Sequence, residues 1–397
     1  MQDRLIVDQT EFDELCAHIK SSGIVAFDTE FVSEHTYRPD LCLLQFATSE
    51  RCVAVDPFEV KNLEAWWKIM ADEETTVVIH GGREEVRFCW YESGTMPRKI
   101  VDVQIAEGMK SRGFPISYTA LIDRILKKKT HGKETRTDWR RRPLTDHQIS
   151  YALEDVEHLL AVWKKQTATL EKLNRMPWSE DEFQRMISEV KSELTGERWR
   201  RLSGLNRLGA RELAMVSELF AWRDQEAENK NRPARRILRD DLLVDLARRQ
   251  PKTMSQLLAT RDMNRSDYKK NAQGMLDCIA RAAEIPKSEY PKPTPRASTR
   301  VSDDEQVLGK FLGIALANRC AELEIAMSLV GTTEDLRHLV RWHVYKKDQG
   351  EPPALMRGWR EDVCGDLLRD VLDGKVTIRV ADPESDHPLK FEHDNDG

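Results

Sequence analysis

Residues 24–31 read IVAFDTEF, an apolar segment that runs directly into two acids, Asp28 and Glu30. The apolar run predicts a buried strand, on which residues two apart point to the same face. Asp28 and Glu30 would then project together while Thr29 points away. Two adjacent carboxylates repel unless a positive charge lies between them, and a hard divalent cation such as Mg²⁺ takes oxygen ligands. Alone, the pair is equally typical of a solvated strand end.

The composition indicates a globular protein of two or three domains. The chain has 397 residues, of which 40% are hydrophobic and 33% charged. Its seven cysteines are scattered and never spaced C-x-x-C, which argues against a disulfide framework or a thiolate zinc site. No run of about 18 apolar residues and no basic, apolar leader is present, so we expect a cytoplasmic protein without a membrane span.

The first ~170 residues alternate strand-like and helix-like segments. Short apolar runs predict strands at 4–7, 24–31, 41–47, 51–55 and 76–80. Helical spacing predicts helices at 11–20, 63–71, 83–91, 118–126 and 146–166. A strand meander followed by strand–helix alternation predicts an α/β domain, in which helices flank a mixed sheet, over residues 1–170.

The remainder of the chain is predicted to be almost wholly helical. A helical connector at 171–205 leads into a first all-α unit at 206–290, and a proline-containing segment without periodicity marks a linker at 291–302. A second all-α unit is expected at 303–375. The acidic segment 376–397 is expected to be disordered, apart from a possible short strand at 376–380.

Two further groups of acids follow the Asp28 pair. Tyr151 and Asp155 lie in a helical stretch, where residues four apart share a face and can point at one target. Glu84 and Glu85 follow Gly81-Gly82, at the expected start of a helix, a position that suits the helix dipole without any metal. Three acid sites, on a strand end, a helix start and a later helix, make a recognisable order.

These motifs and their flanks resemble the ribonuclease D family, within the DEDD 3′→5′ exonucleases of the ribonuclease H-like superfamily. The resemblance covers nearly the whole chain. It rests on residues 27–32 (FDTEFV), 80–85 (HGGREE), 151–155 (YALED), 36–39 (TYRP), 43–45 (LLQ) and 136–144 (RTDWRRRPL). The spacing from Tyr151 to Asp155 resembles the tyrosine branch of the superfamily; Ser150 disfavours the histidine branch.

The resemblance implies a role for each motif residue. Asp28 would bridge two divalent ions, Mg²⁺ or Mn²⁺, and Glu30 and Asp155 would complete the first metal site. Tyr151 would orient the attacking water. In the two-metal hydrolysis that the family implies, one ion lowers the pKa of the water and the other stabilises the leaving 3′-oxygen. Glu85 stands where the family usually has aspartate for the second metal, one methylene shorter.

A basic run lies just before the Tyr151 helix. Residues 127–142, KKKTHGKETRTDWRRR, hold eight basic residues against Glu134 and Asp138. Such a run is often only a solvated loop, but near a metal site its side chains would contact phosphates, and Trp139 would stack on a base or pack in the protein. The candidate nucleic-acid-binding residues are Lys133, Arg136, Trp139, Arg140, Arg141 and Arg142.

Both helical units resemble the helicase-and-RNase-D C-terminal (HRDC) module, the second more remotely. In the first unit the resemblance lies in residues 219–223, 232–237 and 242–247; in the second it lies in residues 341–343 and 358–360. Between residues 206 and 290 the chain has 17 basic and 13 acidic residues, a surplus that favours weak phosphate binding in a chain of net charge −6.

By resemblance, the chain is a metal-dependent 3′→5′ exoribonuclease that releases nucleoside 5′-monophosphates. The expected substrates are the 3′ trailers of precursor tRNA and other small structured RNAs, and the expected state is a monomer. Two alternatives stay open: an RNA-binding protein whose catalysis is weakened through Glu85, and the same chemistry on DNA.

Overall fold

The computed structural model describes residues 4–130, 137–292, 303–346 and 350–393. Its strands are β1 Leu5–Ile6, β2 Ile24–Val32, β3 Asp40–Ala47, β4 Cys52–Val55, β5 Thr76–Ile79, β6 Ile100–Asp102, β7 Val376–Val380 and β8 Leu389–His393. The helices of the first part of the chain are α1 Gln9–Ser22, α2 Glu64–Met70, α3 Arg83–Ser93, α4 Val103–Gly108, α5 Tyr118–Leu126, α6 Asp146–Glu157, α7 Leu159–Lys172 and α8 Met176–Thr195. Those of the later part are α9 Ala210–Asn229, α10 Ala234–Ile237, α11 Asp240–Arg249, α12 Met254–Leu258, α13 Ser266–Ala283, α14 Asp303–Glu322, α15 Met327–Val330, α16 Thr333–His343 and α17 Asp366–Leu372.

Six strands form one mixed sheet in the order β1-β4-β3-β2-β5-β6. Strands β4, β3 and β2 are antiparallel neighbours, whereas β1 pairs parallel to β4, and β2, β5 and β6 pair parallel. The predicted mixed sheet with flanking helices is therefore confirmed. The three-residue strand β6 was missed, and the helix predicted at 146–166 is two helices that meet at His158.

The core beneath the sheet is packed around β2. Phe27 contacts Phe46 at a ring-centroid distance of 5.2 Å and Trp66 at 4.6 Å, and all three side chains are fully buried or nearly so. Aromatic pairs of this kind add to the large apolar area that each ring buries. One side of the strand that carries Asp28 is thus packed against buried aromatic side chains.

The C-terminal unit shares this core. Buried side chains from β1 to α8 and from α14 to β7 form one continuous apolar cluster. Trp178 stacks on Trp359 with ring centroids 5.7 Å apart, and the backbone N–H of Ala326 donates to the carbonyl of Gly108 at 2.8 Å. The domain of the six-stranded sheet and the last helical unit therefore pack as one body, although the first helical unit lies between them in the sequence.

The acidic C-terminal segment forms a β-hairpin whose first strand, β7, is the possible strand expected at 376–380. The expectation of disorder is wrong for Leu389–His393, which form β8. Strands β7 and β8 pair antiparallel, with Ile378 opposite Phe391. Across the hairpin Arg379 pairs with Glu392 at 2.9 Å. The acids suggested a solvated tail, whereas the alternating apolar residues carry the pairing.

The first helical unit has a separate apolar core, built from α9, α11, α12 and α13. Polar contacts join it to the sheet domain through the loop between β2 and β3. The Tyr37 hydroxyl donates to Asp224 at 2.7 Å, and Arg38 donates to Glu228 at 2.9 Å. The Tyr37 backbone N–H donates to Asn231 at 3.2 Å. The residues that follow the Asp28 strand thus hold one face of α9.

None of the described helices combines the length and the apolar character needed to cross a lipid bilayer.

We predict that the double change Tyr37→Phe and Arg38→Ala loosens the first helical unit without unfolding it. Contacts of this kind contribute up to about 1 kcal/mol each, so the loss of both raises the separated fraction up to roughly thirty-fold. Hydrogen exchange along α9 and the radius of gyration in solution scattering should both increase.

A matched control is Arg112→Ala, which removes a similarly exposed pair to Asp386 at 3.0 Å in the unit that shares the apolar core. Exchange in the C-terminal unit should not change. Equal exchange along α9 in the double variant and the unmodified protein would contradict the polar docking.

Candidate active site

Strand β2 presents Asp28 and Glu30 as the period of two predicts. Asp28 lies opposite Gln45 of β3 and Glu30 opposite Leu43, and the register shifts between Glu30 and Phe31. Both acids are half-buried, whereas Thr29 between them is only 5% exposed. A local irregularity of this kind bends a strand, and pairing with β3 resumes beyond it at Phe31 and Val32.

The turn from β5 into α3 delivers Glu85. Gly81 adopts φ +65°, and a Cβ at Gly82 would lie 2.3 Å from the side chain of Ile79, so both positions require glycine. The chain therefore turns sharply, and Glu85 enters the domain from the first turn of α3, where it is 4% exposed. Its Oε1 accepts a hydrogen bond of 2.6 Å from the hydroxyl of Thr29.

Its neighbour Glu84 has a different environment. Glu84 pairs with Arg87 one turn later on α3, and Arg87 also pairs with Glu193 of α8. Glu84 is therefore part of a surface ion-pair network, as its position at the helix start allowed.

Helix α6 contributes Tyr151 and Asp155. The helix begins with a capping box in which Thr145 and Gln148 satisfy each other's backbone N–H groups. Its buried face packs on the sheet, and Tyr151 lies against Trp139 with ring centroids 6.4 Å apart. This packing fixes the rotation of α6 and so the direction in which the residues of its other face point.

The four acids act on one another electrostatically. Burial raises the pKa of Asp28 well above its ordinary value, and the charges of Glu85, Asp155 and Glu30 raise it further. Burial, followed by Asp155 and Glu85, raises the pKa of Glu30 to about 8. Burial also raises the pKa of Glu85 to about 7, against the lowering effect of the Thr29 hydrogen bond. Such mutual repulsion indicates a site that gains stability when it binds a cation.

The donor set fits a hard divalent cation because all four side chains offer carboxylate oxygens, the ligands preferred by Mg²⁺ and Mn²⁺. Over the described residues, however, no three His, Cys, Asp or Glu side chains already converge as a ready-made metal site. The engagement of Glu85 with Thr29 is consistent with this, since one of its two oxygens is turned to the hydroxyl. Closing the site requires side-chain adjustment but no change of fold.

Tyr118 lies beside this cluster and was not predicted as a site residue. Its hydroxyl donates to the backbone carbonyl of Glu154, the residue before Asp155. Burial and the charges of Asp155, Glu154 and Asp28 raise the pKa of the Tyr118 phenol, so the group stays a neutral donor. No motif signals this role, because the partner is a backbone carbonyl distant in sequence.

The basic run divides into inward-facing and outward-facing residues. Trp139 is only 4% exposed. Arg142 donates hydrogen bonds to Asp56 and to the carbonyls of Cys42 and Trp139, and its guanidinium lies over the Phe58 ring. Trp139 therefore packs in the protein, one of its two predicted roles, and the Arg142 side chain is 22% exposed and paired with Asp56. An RNA contact by either residue stays a prediction.

The remaining residues of the run differ in exposure. The side chain of Arg141 is 85% exposed and that of Arg140 37%, and both lie near Asp138. Lys133 and Arg136 fall outside the described residues.

The sheet topology, the clustered acids and the helical appendages define a 3′→5′ exonuclease joined to an HRDC module. Consistently, the sequence profile of a 3′-5′ exonuclease family matches residues 4–171, and that of the HRDC domain matches residues 212–279. The structure is similar to that of Escherichia coli RNase D, with a TM-score of 0.80 and 24% sequence identity. The similarity covers 93% of this chain and 98% of that one.

Full-length relatives give the family. The chain is 30% identical over 386 residues to ribonuclease D of Nitrobacter hamburgensis, covering 95% of this chain and 97% of the relative. It is 31% identical over 381 residues to ribonuclease D of Jannaschia sp., covering 93% and 96%. The chain therefore belongs to the ribonuclease D family and is a 3′→5′ exonuclease of that family.

We predict that the metal-free protein loses stability as the pH rises from about 5 to 8. The folded state holds protons on carboxyls whose pKa values are raised, such as Glu30 at about 8, whereas the unfolded chain has released them. Each such group lowers the free energy of unfolding by up to about 1.4 kcal/mol per pH unit across this window. Below the ordinary pKa of the group both states are protonated, and the free energy of unfolding no longer changes with pH through that group. Urea unfolding in a chelator at several pH values measures the slope.

The change Glu30→Gln should flatten this slope, while Glu84→Gln, in the neighbouring ion pair with Arg87, should leave it unchanged. Parallel stability curves for Glu30→Gln and the unmodified protein would show that the acids do not repel one another in the folded state.

Proposed function

We propose that the chain removes nucleotides one at a time from the 3′ end of RNA and releases nucleoside 5′-monophosphates. The observation that carries this proposal is that Glu85, Asp155 and Glu30 all act electrostatically on the carboxyl of Asp28, the four acids being supplied by β2, α3 and α6. Water adds to the terminal phosphorus, the bond to the 3′-oxygen breaks, and that oxygen takes a proton as the shortened RNA leaves.

Asp28, Glu30 and Asp155 would hold one divalent ion, and Asp28 with Glu85 a second. When bound, such ions supply an activated water and stabilise charge on the leaving oxygen. The protein's own contribution is positional. Strand β2 and helix α6 fix the acids, and Tyr151, one turn before Asp155 on α6, orients the water that attacks the phosphorus.

We propose precursor tRNA and other small structured RNAs as substrates, with trimming of their 3′ trailers. The relatives named ribonuclease D support this choice of substrate. So does Escherichia coli RNase D, an exoribonuclease involved in structured RNA processing. The first helical unit, which has the surplus of basic residues, is held next to the sheet domain by the loop after β2.

The second candidate function is RNA binding by a protein whose catalysis is weakened through Glu85. The lack, in the described parts of the chain, of a ready-made three-ligand site favours it. RNA binding without cleavage under every divalent ion, unchanged by Glu85→Asp, would establish this alternative over the first.

We expect 3′-extended RNA to be shortened in Mg²⁺ or Mn²⁺, and Asp28→Asn or Asp155→Asn to lower the single-turnover rate by at least about a thousand-fold. Each change replaces a charged carboxylate by a neutral amide with one weaker oxygen donor, so cation binding weakens and the developing charge loses its stabilisation. A labelled RNA assay with separation of mononucleotides measures both the rate and the product.

Affinity for RNA should be unchanged in these two variants, and Glu84→Gln should cleave normally because Glu84 pairs with Arg87 away from the cluster. Cleavage at wild-type rates by Asp28→Asn would refute the site. No shortening by well-folded protein under any divalent ion would refute the activity itself.

The double change Arg140→Gln and Arg141→Gln should weaken RNA binding and flatten its salt dependence. Two lost phosphate contacts reduce the slope of log K against log salt by roughly 1.4 for a single strand. Fluorescence anisotropy at several salt concentrations gives the slope. Arg142→Gln serves as contrast: it should lower thermal stability through Asp56 and leave the slope unchanged, and an unaltered slope in the double variant would exclude this loop from RNA binding.

A further inference from the structure

Thr29 is a buried polar residue between two acids, and its hydroxyl contacts the carboxylate of Glu85. It donates to Oε1 of Glu85 at 2.6 Å, and the exposed fractions of the two side chains are 5% and 4%. A short hydrogen bond to a carboxylate is charge-assisted and about twice as strong as one between neutral groups. The contact is therefore a specific restraint on Glu85.

The restraint acts from the opposite face of β2. Because side chains alternate along a strand, Thr29 points away from the face of Asp28 and Glu30. Helix α3 brings Glu85 to that side, where the hydroxyl meets it. The charge of Glu85 nevertheless raises the pKa of both Asp28 and Glu30, so its carboxylate remains close enough to act on the acid pair.

The length of the glutamate makes such a restraint necessary. Glu85 has one more rotatable bond than an aspartate, and without a fixed partner its carboxylate would sample several rotamers. A carboxylate has two oxygens with about four acceptor positions, so one hydrogen bond leaves capacity to bind a cation. Holding one oxygen therefore directs the other.

We propose that Thr29 is a positioning residue for metal binding: its hydroxyl fixes one oxygen of Glu85 and so presents the other to a divalent cation shared with Asp28. This inference rests on the proposed function, whose metal ligands include both acids. Groups that orient a metal ligand typically change metal affinity ten- to a hundred-fold when they are removed.

The test compares Thr29→Val, which keeps the shape but removes the donor, with Thr29→Ser, which keeps the donor. Binding of Mn²⁺ to the protein without RNA is followed by calorimetry and by the spin-resonance signal of free Mn²⁺. We expect Thr29→Val to weaken one class of Mn²⁺ site about ten-fold or more, and Thr29→Ser to restore most of the loss. Wild-type Mn²⁺ binding by well-folded Thr29→Val would overturn the proposal.

A structural effect is separated from positioning by a double-mutant cycle with Glu85→Gln. If Thr29 acts through Glu85, adding Thr29→Val to Glu85→Gln changes Mn²⁺ affinity no further. An equal, additive loss in that background would also overturn the proposal. Thr260→Val is the matched control for a buried threonine, since Thr260 is 3% exposed in the first helical unit and its change should leave Mn²⁺ binding intact.

Cleavage measured against Mn²⁺ concentration gives the second readout. Thr29→Val should require about ten-fold more Mn²⁺ for half-maximal rate, with the maximal rate largely recovered at saturation. If the unmodified protein cleaves no RNA, the proposed function fails, but the Mn²⁺ isotherms still decide the role of Thr29.

Discussion

The mutual repulsion of four carboxylates is the constraint on which the catalytic domain depends. Glu85, Asp155 and Glu30 raise the pKa of Asp28, and Asp155 and Glu85 raise that of Glu30. A loosely packed domain would relieve this repulsion by moving the carboxylates apart. The aromatic packing under β2, the glycine turn before α3 and the capped start of α6 resist that movement. Rigid elements thus maintain an arrangement that is unfavourable until a cation joins it, a common feature of preorganised sites.

Much of this site could be predicted from periodicity. A period of two placed Asp28 and Glu30 on one face, and a spacing of four placed Tyr151 and Asp155 on one side of a helix. Alternation also predicted that Thr29 points away from Asp28 and Glu30. It could not predict that Thr29 contacts Glu85 there, because that contact depends on how α3 packs. The anchoring of α6 through Tyr118 escaped prediction for the same reason.

The basic run shows a different limit. A cluster of charges reveals composition but not which side chains turn inward, and Arg142 was indistinguishable from Arg140 and Arg141 until Asp56 was brought beside it by the sheet. The C-terminal hairpin was hidden similarly, because its acids dominate the composition while Ile378 and Phe391 carry the pairing. In both cases a tertiary partner overrides the local pattern.

Arginine has a second task in this chain, which is to join segments through backbone carbonyls. Arg175 donates to the carbonyls of Met109 and Leu323, and so ties the sheet domain to the last helical unit. Arg360 reaches Glu182 of α8 as well as the carbonyls of Leu329 and Val330. The planar fork of guanidinium suits such bridging, for which lysine has no equivalent geometry.

The shared core of the sheet domain and the C-terminal unit also governs the order in which the protein can mature on the ribosome. Domains generally fold as units while the chain emerges, N-terminal parts first. Here the apolar surface around Trp178 and Gly108 stays uncovered until Ala326 and Trp359 have been synthesised, after the whole first helical unit. Nascent chains therefore carry all four acids long before the body that supports them is complete, and the nuclease reaches its final packing only after the C-terminal unit has been synthesised.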